Sequence, residues 1–192
     1  KERKGEFKSD QTQEIKFPSN LYYCLMDKFI WEMDGSTVNM EKKSEKTSFD
    51  SDGIGENSNF FSYHPDQEKL NFKALHAQYD LKTQKITCEK IRYVPVGDER
   101  IYPNQQTLII QKKAVIEPLE NAKIITLSQT HNFTNCNLNI KSKSAYNGKG
   151  QYRYYDVDST ATSIQMKDIT CINSNTKASG KIEEKNRFKL NK

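Results

Sequence analysis

The sequence lacks any long apolar run. Its 192 residues are 34% hydrophobic, and their mean hydropathy is −0.89. No segment reaches the ~18 consecutive apolar residues that a membrane-spanning helix needs, so no membrane span is expected. The low apolar content predicts a polar domain with a thin core. The 10 tyrosines and 9 phenylalanines nevertheless favour a packed core over a disordered chain.

The sequence also has little excess charge of either sign. There are 30 basic and 25 acidic residues, which give a net charge of +5. The excess lies at the two ends, 1–16 and 177–192, because 17–176 contains nineteen residues of each sign. We therefore predict a polar N-terminal tail, a single β domain over 17–176 and a basic C-terminal tail; the alternative is a body with two lobes that divides near 95–106. A neutral body disfavours nucleic acid as a partner, because such binding needs clustered contacts to phosphates.

Strong amphipathic helices are absent as well. Short runs rich in Ile, Tyr, Phe and Thr are separated by Gly, Pro, Asn and Asp, a pattern typical of strands and turns. Residues 21–33 are predicted as a strand, with a helix as the alternative, and turns are predicted at 34–35, 80–84 and 147–148. A bulge is predicted near Asp168. The sequence therefore predicts a mostly β fold, an antiparallel sandwich or barrel with long loops and little helix.

Cysteines are few and far apart. Cys24, Cys88, Cys136 and Cys171 form no CxxC motif, which excludes a zinc ribbon or a thioredoxin-like site. Widely spaced cysteines in even number are typical of disulfides in an oxidising compartment, so we predict two disulfides. Of the three pairings, Cys24 with Cys88 and Cys136 with Cys171 keeps each bridge within one half of the chain. The alternative is four buried free thiols in a cytosolic protein.

The compartment is predicted from these cysteines and from the first residue. The chain begins with Lys1 and not with Met, which indicates a processed or trimmed chain. A mature exported protein that has lost its leader fits this pattern, and so does a cytosolic fragment. We expect a periplasmic, cell-surface or secreted location, with which a lipid anchor is compatible.

Motifs of known catalytic chemistry are missing. The sequence contains no Walker loop, GxSxG, GxGxxG or HExxH. His64, His76 and His131 show no metal-ligand spacing, and each is interpreted as a structural or surface histidine. No catalytic residue, metal or cofactor is therefore predicted. An enzyme would instead be expected to collect one histidine with a carboxylate or a cysteine in a pocket.

Two groups of carboxylates resemble cation sites only in part. Asp50, Asp52 and Glu56 lie in a glycine-containing loop that lacks the ligands of an EF-hand. Asp156 and Asp158 share one side of a strand end, where acidic residues commonly terminate strands. We predict no metal at either place.

A tyrosine-rich segment near the C-terminus is the best candidate for a binding surface. Tyrosine and arginine are enriched at protein interfaces. The candidate partner-binding residues are Tyr146, Lys149, Tyr152, Arg153, Tyr154 and Tyr155. We therefore predict a non-catalytic exported binding protein with a protein partner, of an inhibitor, immunity or envelope-assembly type. The alternatives are a single-stranded nucleic-acid-binding β domain and an enzyme without a recognisable motif.

Overall fold

The computed structural model describes residues 3–9, 13–43, 58–128, 131–155 and 161–182. Two predicted groups of carboxylates, at 50–56 and 156–158, lie outside these residues. The structure is 61% strand, all of its sheets are antiparallel, and one of them curls into a half-barrel, which confirms the mostly β prediction. In the part of the chain that is described, no helix is long and apolar enough to cross a membrane.

The described residues contain seventeen strands and three short 3-10 turns. The strands are β1 (Lys4–Lys8), β2 (Ile15–Phe17), β3 (Tyr22–Cys24), β4 (Lys28–Glu32), β5 (Thr37–Glu41), β6 (Phe60–Ser62), β7 (Asn71–Phe72), β8 (His76–Asp80), β9 (Lys85–Glu89), β10 (Val94–Val96), β11 (Glu99–Tyr102), β12 (Leu108–Ile110), β13 (Leu119–Thr126), β14 (Asn132–Ser142), β15 (Ala145–Tyr155), β16 (Ala161–Ile172) and β17 (Asn175–Gly180). The 3-10 turns are Pro65–Gln67, Asn104–Gln106 and Lys112–Ala114.

The first sheet contains six strands in the order β1-β4-β5-β8-β9-β12. Both hairpins predicted in this region are present, one joining β4 to β5 through 33–36 and the other joining β8 to β9 through 81–84. The single strand predicted over 21–33 is instead two strands, β3 and β4, which pair in different sheets. The chain leaves one sheet for the other at 25–27, where the backbone N–H of Leu25 donates to Asn59 and that of Asp27 to Glu41.

A second sheet of four strands, in the order β2-β3-β6-β7, completes the N-terminal half. The buried polar side chains of Asn59 and Gln67, in the segments beside these strands, bond to other connecting segments and to Tyr22 of β3. The side chain of Asn59 donates to the carbonyl of Ala74 at 2.7 Å and accepts from the Ala74 N–H at 2.9 Å. Gln67 accepts from the Tyr22 hydroxyl at 2.8 Å and donates to the carbonyl of Ala114 at 2.7 Å. These bonds make the irregular connections part of the core.

The third sheet has seven strands in the order β10-β11-β13-β14-β15-β16-β17. Its register slips in β14, where Thr134 pairs with Gln151 but Asn137 pairs with Lys149. It slips again in β16, between Met166 and Asp168, which confirms the bulge predicted near Asp168. The turn predicted at 147–148 is wrong, because β15 runs through these residues and the chain turns at 143–144.

Glycines on β15 explain both the wrong turn prediction and the curl of this sheet. A Cβ on Gly148 would lie 2.1 Å from the carbonyl oxygen of Asn137, and one on Gly150 would lie 2.5 Å from Sγ of Cys136. Neither position has room for a side chain, so glycine allows β14 to approach β15 closely at these two positions. Bulges and interior glycines are the usual means of curling a sheet.

Buried side chains from all three sheets form one hydrophobic core. Its largest members include Tyr22, Phe60, Phe72 and Tyr146. Parts of both predicted tails belong to the sheets, since β1 pairs with β4 and β17 pairs with β16. Their polar side chains are largely exposed, as in edge strands, which is why the composition of these segments resembles that of a tail.

The four cysteines are buried free thiols, and no two of them lie at disulfide distance. The two predicted disulfides are therefore not present in the structure. Cys136 lies against Gly150, and Cys171 lies against Gly97, where an added Cβ would be 2.8 Å from its sulfur. Each of these thiols fills the space above a glycine of another strand or turn, and so acts as a small apolar core side chain.

Candidate functional site

The inner side of the seven-stranded sheet holds a cleft of about 290 Å³. The cleft exists because the sheet curls, so that β11 and β17, which have four strands between them, line the same space. Its polar lining residues are Asp98, Glu99, Thr126, His131 and Thr176. Its apolar lining residues are Phe133, Tyr152, Met166 and Ala178. The cleft thus combines a few polar groups with apolar walls, which is typical of small-molecule sites.

Glu99 is the most buried polar group of the cleft, with 1% of its surface exposed. It is the first residue of β11 and shares a face with Ile101, so the alternation of the strand directs its side chain inwards. Oε2 accepts a hydrogen bond from the hydroxyl of Tyr146. Oε1 is buried and has no hydrogen-bond partner among the described residues. A buried carboxyl oxygen without a partner is costly, so it marks the place where a ligand group would be stabilised.

The electrostatics of Glu99 follow from this burial. Burial raises its pKa above the ordinary value, although the hydroxyl groups of Tyr146 and Thr176 and the nearby His131 act in the opposite direction. Burial and the Glu99 carboxylate together raise the pKa of Tyr146 far above its ordinary value. Tyr146 therefore stays protonated and remains a hydrogen-bond donor to Glu99.

A chain of hydroxyl and carboxyl groups continues from Glu99 to the rim of the cleft. The Tyr146 hydroxyl lies 3.4 Å from Oγ1 of Thr176, and Thr176 donates to Oδ1 of Asp98 at 3.4 Å. The turn that contains Asp98 is fixed by two backbone bonds, from the Gly97 N–H to Lys143 at 2.8 Å and from the Leu127 N–H to Asp98 at 3.0 Å. The two acidic side chains are thus held at defined positions.

His131, Phe133 and Tyr152 form the aromatic side of the cleft. Nδ1 of His131 lies 2.9 Å from the Tyr152 hydroxyl. The Tyr152 ring lies 5.8 Å from the His131 ring and 5.3 Å from the Phe133 ring, at inclinations of 46° and 51°. The backbone N–H of His131 donates to Oγ1 of Thr126 at 3.1 Å. Tilted rings at these distances pack favourably and give the cleft a preformed wall.

The partner-binding residues predicted from the sequence divide between the two faces of β15. The inner face carries Tyr152, which lines the cleft, the buried Tyr146, which donates to Glu99, and the half-buried Tyr154. The outer face carries Lys149, Arg153 and Tyr155, which are exposed. The structure therefore does not place the six residues on one surface.

The three histidines have different surroundings. His64 caps a 3-10 turn by accepting from the backbone N–H of Asp66 at 3.1 Å. Nδ1 of His76 lies 2.7 Å from Glu89 on the neighbouring strand. Only His131 lies at the cleft, together with Asp98 and Glu99. Within the described ranges, no group of three or more His, Cys, Asp or Glu side chains is placed to hold a metal ion.

Sequence reasoning missed Asp98, Glu99 and Thr176. The segment 95–106 has two prolines and a glycine and enters the sequence analysis only as an alternative boundary between two lobes, and Thr176 lies where the predicted domain ends. One signal was available, because Glu99 and Ile101 alternate with the flanking residues as on a buried strand face. An acid at an alternating core position is unusual and indicates a functional group.

No protein-family model, no curated protein and no solved structure matches this chain.

Proposed function

We propose that the protein is a non-catalytic binding protein and that the cleft of the curled sheet takes a small organic ligand. The observation that carries this proposal is Oε1 of Glu99, a carboxyl oxygen that is buried at the cleft and has no partner among the described residues. Natural proteins pair nearly all such atoms with protein, water or ligand. A ligand group that donates a hydrogen bond to Oε1 would supply the missing partner.

The dimensions and lining of the cleft support a ligand of small-molecule size. Its volume of about 290 Å³ is at the lower end of the range for ligand pockets. Phe133, Tyr152 and Met166 offer apolar contact, while Glu99 and Thr176 offer hydrogen-bonding groups that would fix the orientation of a ligand. The site is preformed, because Tyr146 and Thr176 already orient the acidic groups.

An enzyme is the second candidate, and one observation favours it. The cleft brings His131 together with Asp98 and Glu99, and this is the combination expected of an acid–base site. Binding is the better-supported function because Glu99 is bonded to Tyr146 and His131 to Tyr152, so each group is engaged by a tyrosine. Turnover of chromogenic ester, phosphate or glycoside substrates that is abolished in His131→Ala would favour the enzyme.

A protein partner and export remain predictions from the sequence. The exposed outer-face residues Lys149, Arg153 and Tyr155 support a protein contact on the face opposite the cleft. The free thiols remove the disulfide argument for an oxidising compartment. The cleft proposal holds in either compartment.

The test is a fragment screen followed by protein NMR, with two variants of β17. Ala178 lines the cleft, whereas Ser179 lies on the opposite face of the same exposed edge strand. We expect fragments with an apolar body and a hydrogen-bond donor to shift the amide signals of Thr126, His131 and Thr176. Ala178→Trp should fill the cleft and abolish these shifts, and Ser179→Trp should retain them. Fragments that bind equally well to both variants, or a screen without any response at the cleft, would refute the proposal.

A further inference from the structure

The charged groups that line the cleft carry a further inference, which rests on the function proposed above. Three of its described lining residues have acidic or basic side chains: the acids Asp98 and Glu99 and the base His131. No lysine or arginine is among the lining residues that the structure describes. Both carboxyl groups are held in place, Asp98 by Thr176 and Glu99 by Tyr146. The fixed groups of the cleft therefore favour a positive partner over a negative one.

The two oxygens of Glu99 are not equivalent. Oε2 accepts the hydrogen bond of the Tyr146 hydroxyl, whereas Oε1 is the buried oxygen that has no hydrogen-bond partner among the described residues. A carboxylate oxygen accepts hydrogen bonds and does not donate them, and its bonds to charged N–H donors are the strongest that it makes. The side chain is 1% exposed, so a bond formed there is largely shielded from water. This geometry suits one N–H group that arrives from the cleft.

The walls determine what kind of cation fits. In the described part of the chain no cluster of three acidic, histidine or cysteine side chains is placed to hold a metal ion, which disfavours an inorganic cation. The rings of Phe133 and Tyr152, 5.3 Å apart, present apolar and π-electron surface instead. Aromatic rings attract organic cations and cover their hydrocarbon parts.

We propose that the ligand of the cleft is an organic ammonium compound, a primary or secondary amine with an apolar body. Its N–H group donates to Oε1 of Glu99, and its body packs between Tyr152, Phe133 and Met166. Asp98 at the rim adds a second negative charge that attracts the ligand. The pairing leaves a neutral couple at the floor of the cleft, where Glu99 is otherwise a lone buried acid.

The experiment uses matched sets of three probes that share one apolar body. Each set contains the amine, the alcohol and the carboxylate: phenethylamine, 2-phenylethanol and 3-phenylpropanoate form one set, and the butyl and cyclohexylmethyl analogues form two others. Affinities are measured by NMR titration of the cleft amide signals near neutral pH. We expect the amine to bind about tenfold more tightly than its alcohol, and the carboxylate to bind least.

Two variants with the same change of charge locate the effect. Glu99→Gln removes the negative charge of the proposed acceptor, and Glu120→Gln removes a carboxylate from an exposed position of β13 outside the cleft. The preference for the amine should disappear in Glu99→Gln and persist in Glu120→Gln. Asp98→Asn, at an exposed position, should reduce the preference without abolishing it, and this test does not depend on a core substitution.

The outcomes separate this inference from the proposed function. If the alcohol or the carboxylate of a set binds the cleft as well as the amine, the inference is wrong and the cleft is still a ligand site. An amine preference that survives in Glu99→Gln and in Asp98→Asn would also overturn the inference. If no member of any set shifts the cleft signals, both the inference and the proposed function fail.

Discussion

The hydroxyl of Tyr146 on β15 donates a hydrogen bond to the carboxylate of Glu99 on β11, although β13 and β14 lie between these strands in the sheet. In a flat sheet, strands separated by two others are too far apart for such a contact, since neighbouring strands are ~4.8 Å apart. The bond therefore exists because the sheet curls, and it links the curl to the chemistry of the cleft.

Tyr146→Phe tests this bond without changing the shape of the core. The substitution leaves Oε2 of Glu99 without its donor in a buried position. We expect the free energy of unfolding to fall by about 1–3 kcal/mol, the cost of an unsatisfied buried acceptor. Urea denaturation measures it. The control is Tyr155→Phe on the same strand. The Tyr155 side chain is 54% exposed, so loss of its hydroxyl should change the free energy of unfolding by less than about 0.5 kcal/mol. Equal effects of the two substitutions would show that the buried bond contributes nothing.

The pH dependence of stability should contain two opposite contributions. Burial raises the pKa of Glu99, so the folded state holds its proton more tightly than the unfolded chain. This contribution is complete below the ordinary pKa near 4.5 and is lost as pH rises through the folded value. The free energy of unfolding of the unmodified protein should therefore decrease above pH 4.5 because of Glu99, and this decrease should be absent in Glu99→Gln.

Asp27 supplies the contribution of opposite sign. Burial alone would raise its pKa, but the Lys43 backbone N–H at 2.7 Å and the Lys42 ammonium at 2.9 Å outweigh burial and lower it. Its stabilising effect is present above the ordinary pKa of 3.8 and is lost as pH falls through the lower folded value. Asp27→Asn should therefore weaken the decrease in unfolding free energy at acid pH, whereas Glu99→Gln should leave that decrease unchanged. Urea midpoints measured from pH 3 to pH 8 separate the two effects, and identical profiles for the two variants would contradict both assignments.

The sequence predicts the strands well where hydrophobic alternation and a polar turn coincide. The hairpins through 33–36 and 81–84 are of this kind. The bulge near Asp168 was also predictable, because the alternation of apolar residues changes phase there. The absence of a turn at 147–148 was not predictable. An Asn-Gly pair also occurs in a strand where the neighbouring strand lies too close to leave room for a side chain. A glycine at position 148 is compatible with a turn and with a strand, and only the close approach of Asn137, which the sequence does not show, distinguishes the two.

The cleft was less predictable than the strands. Tyr152 and His131 were recognised separately, as a candidate contact residue and as a structural or surface histidine. Their proximity to Glu99 arises from the curl, which depends on the register slips of β14 and β16 and on contacts between distant strands. No local pattern contains this information, because it depends on which strands lie next to each other.

The thiols give a direct test of the structure and of export. Burial raises the pKa of Cys24 and of Cys136 to about 12. Because the thiolate is the reactive form, both should react very slowly with a disulfide reagent such as DTNB in the native protein. After denaturation without a reductant, all 4 cysteines should react rapidly. If fewer than four cysteines react, some of them are covalently linked, and the disulfide argument for an oxidising compartment applies again.

Gly150→Ala tests the origin of the curl. The added Cβ would lie 2.5 Å from Sγ and 3.1 Å from Cα of Cys136, so β14 would have to move. We expect a loss of about 1–3 kcal/mol in unfolding free energy, as for other overpacked sites. Gly35→Ala, whose Cβ would lie 3.5 Å from Oγ1 of Thr37, is the control and should be close to neutral. Cys136→Ala removes the closest contact, so the double variant Gly150→Ala/Cys136→Ala should lose less stability than the sum of the single variants. Strict additivity in urea denaturation would mean that these residues do not touch and that the close approach of β14 to β15 is not what limits position 150 to glycine.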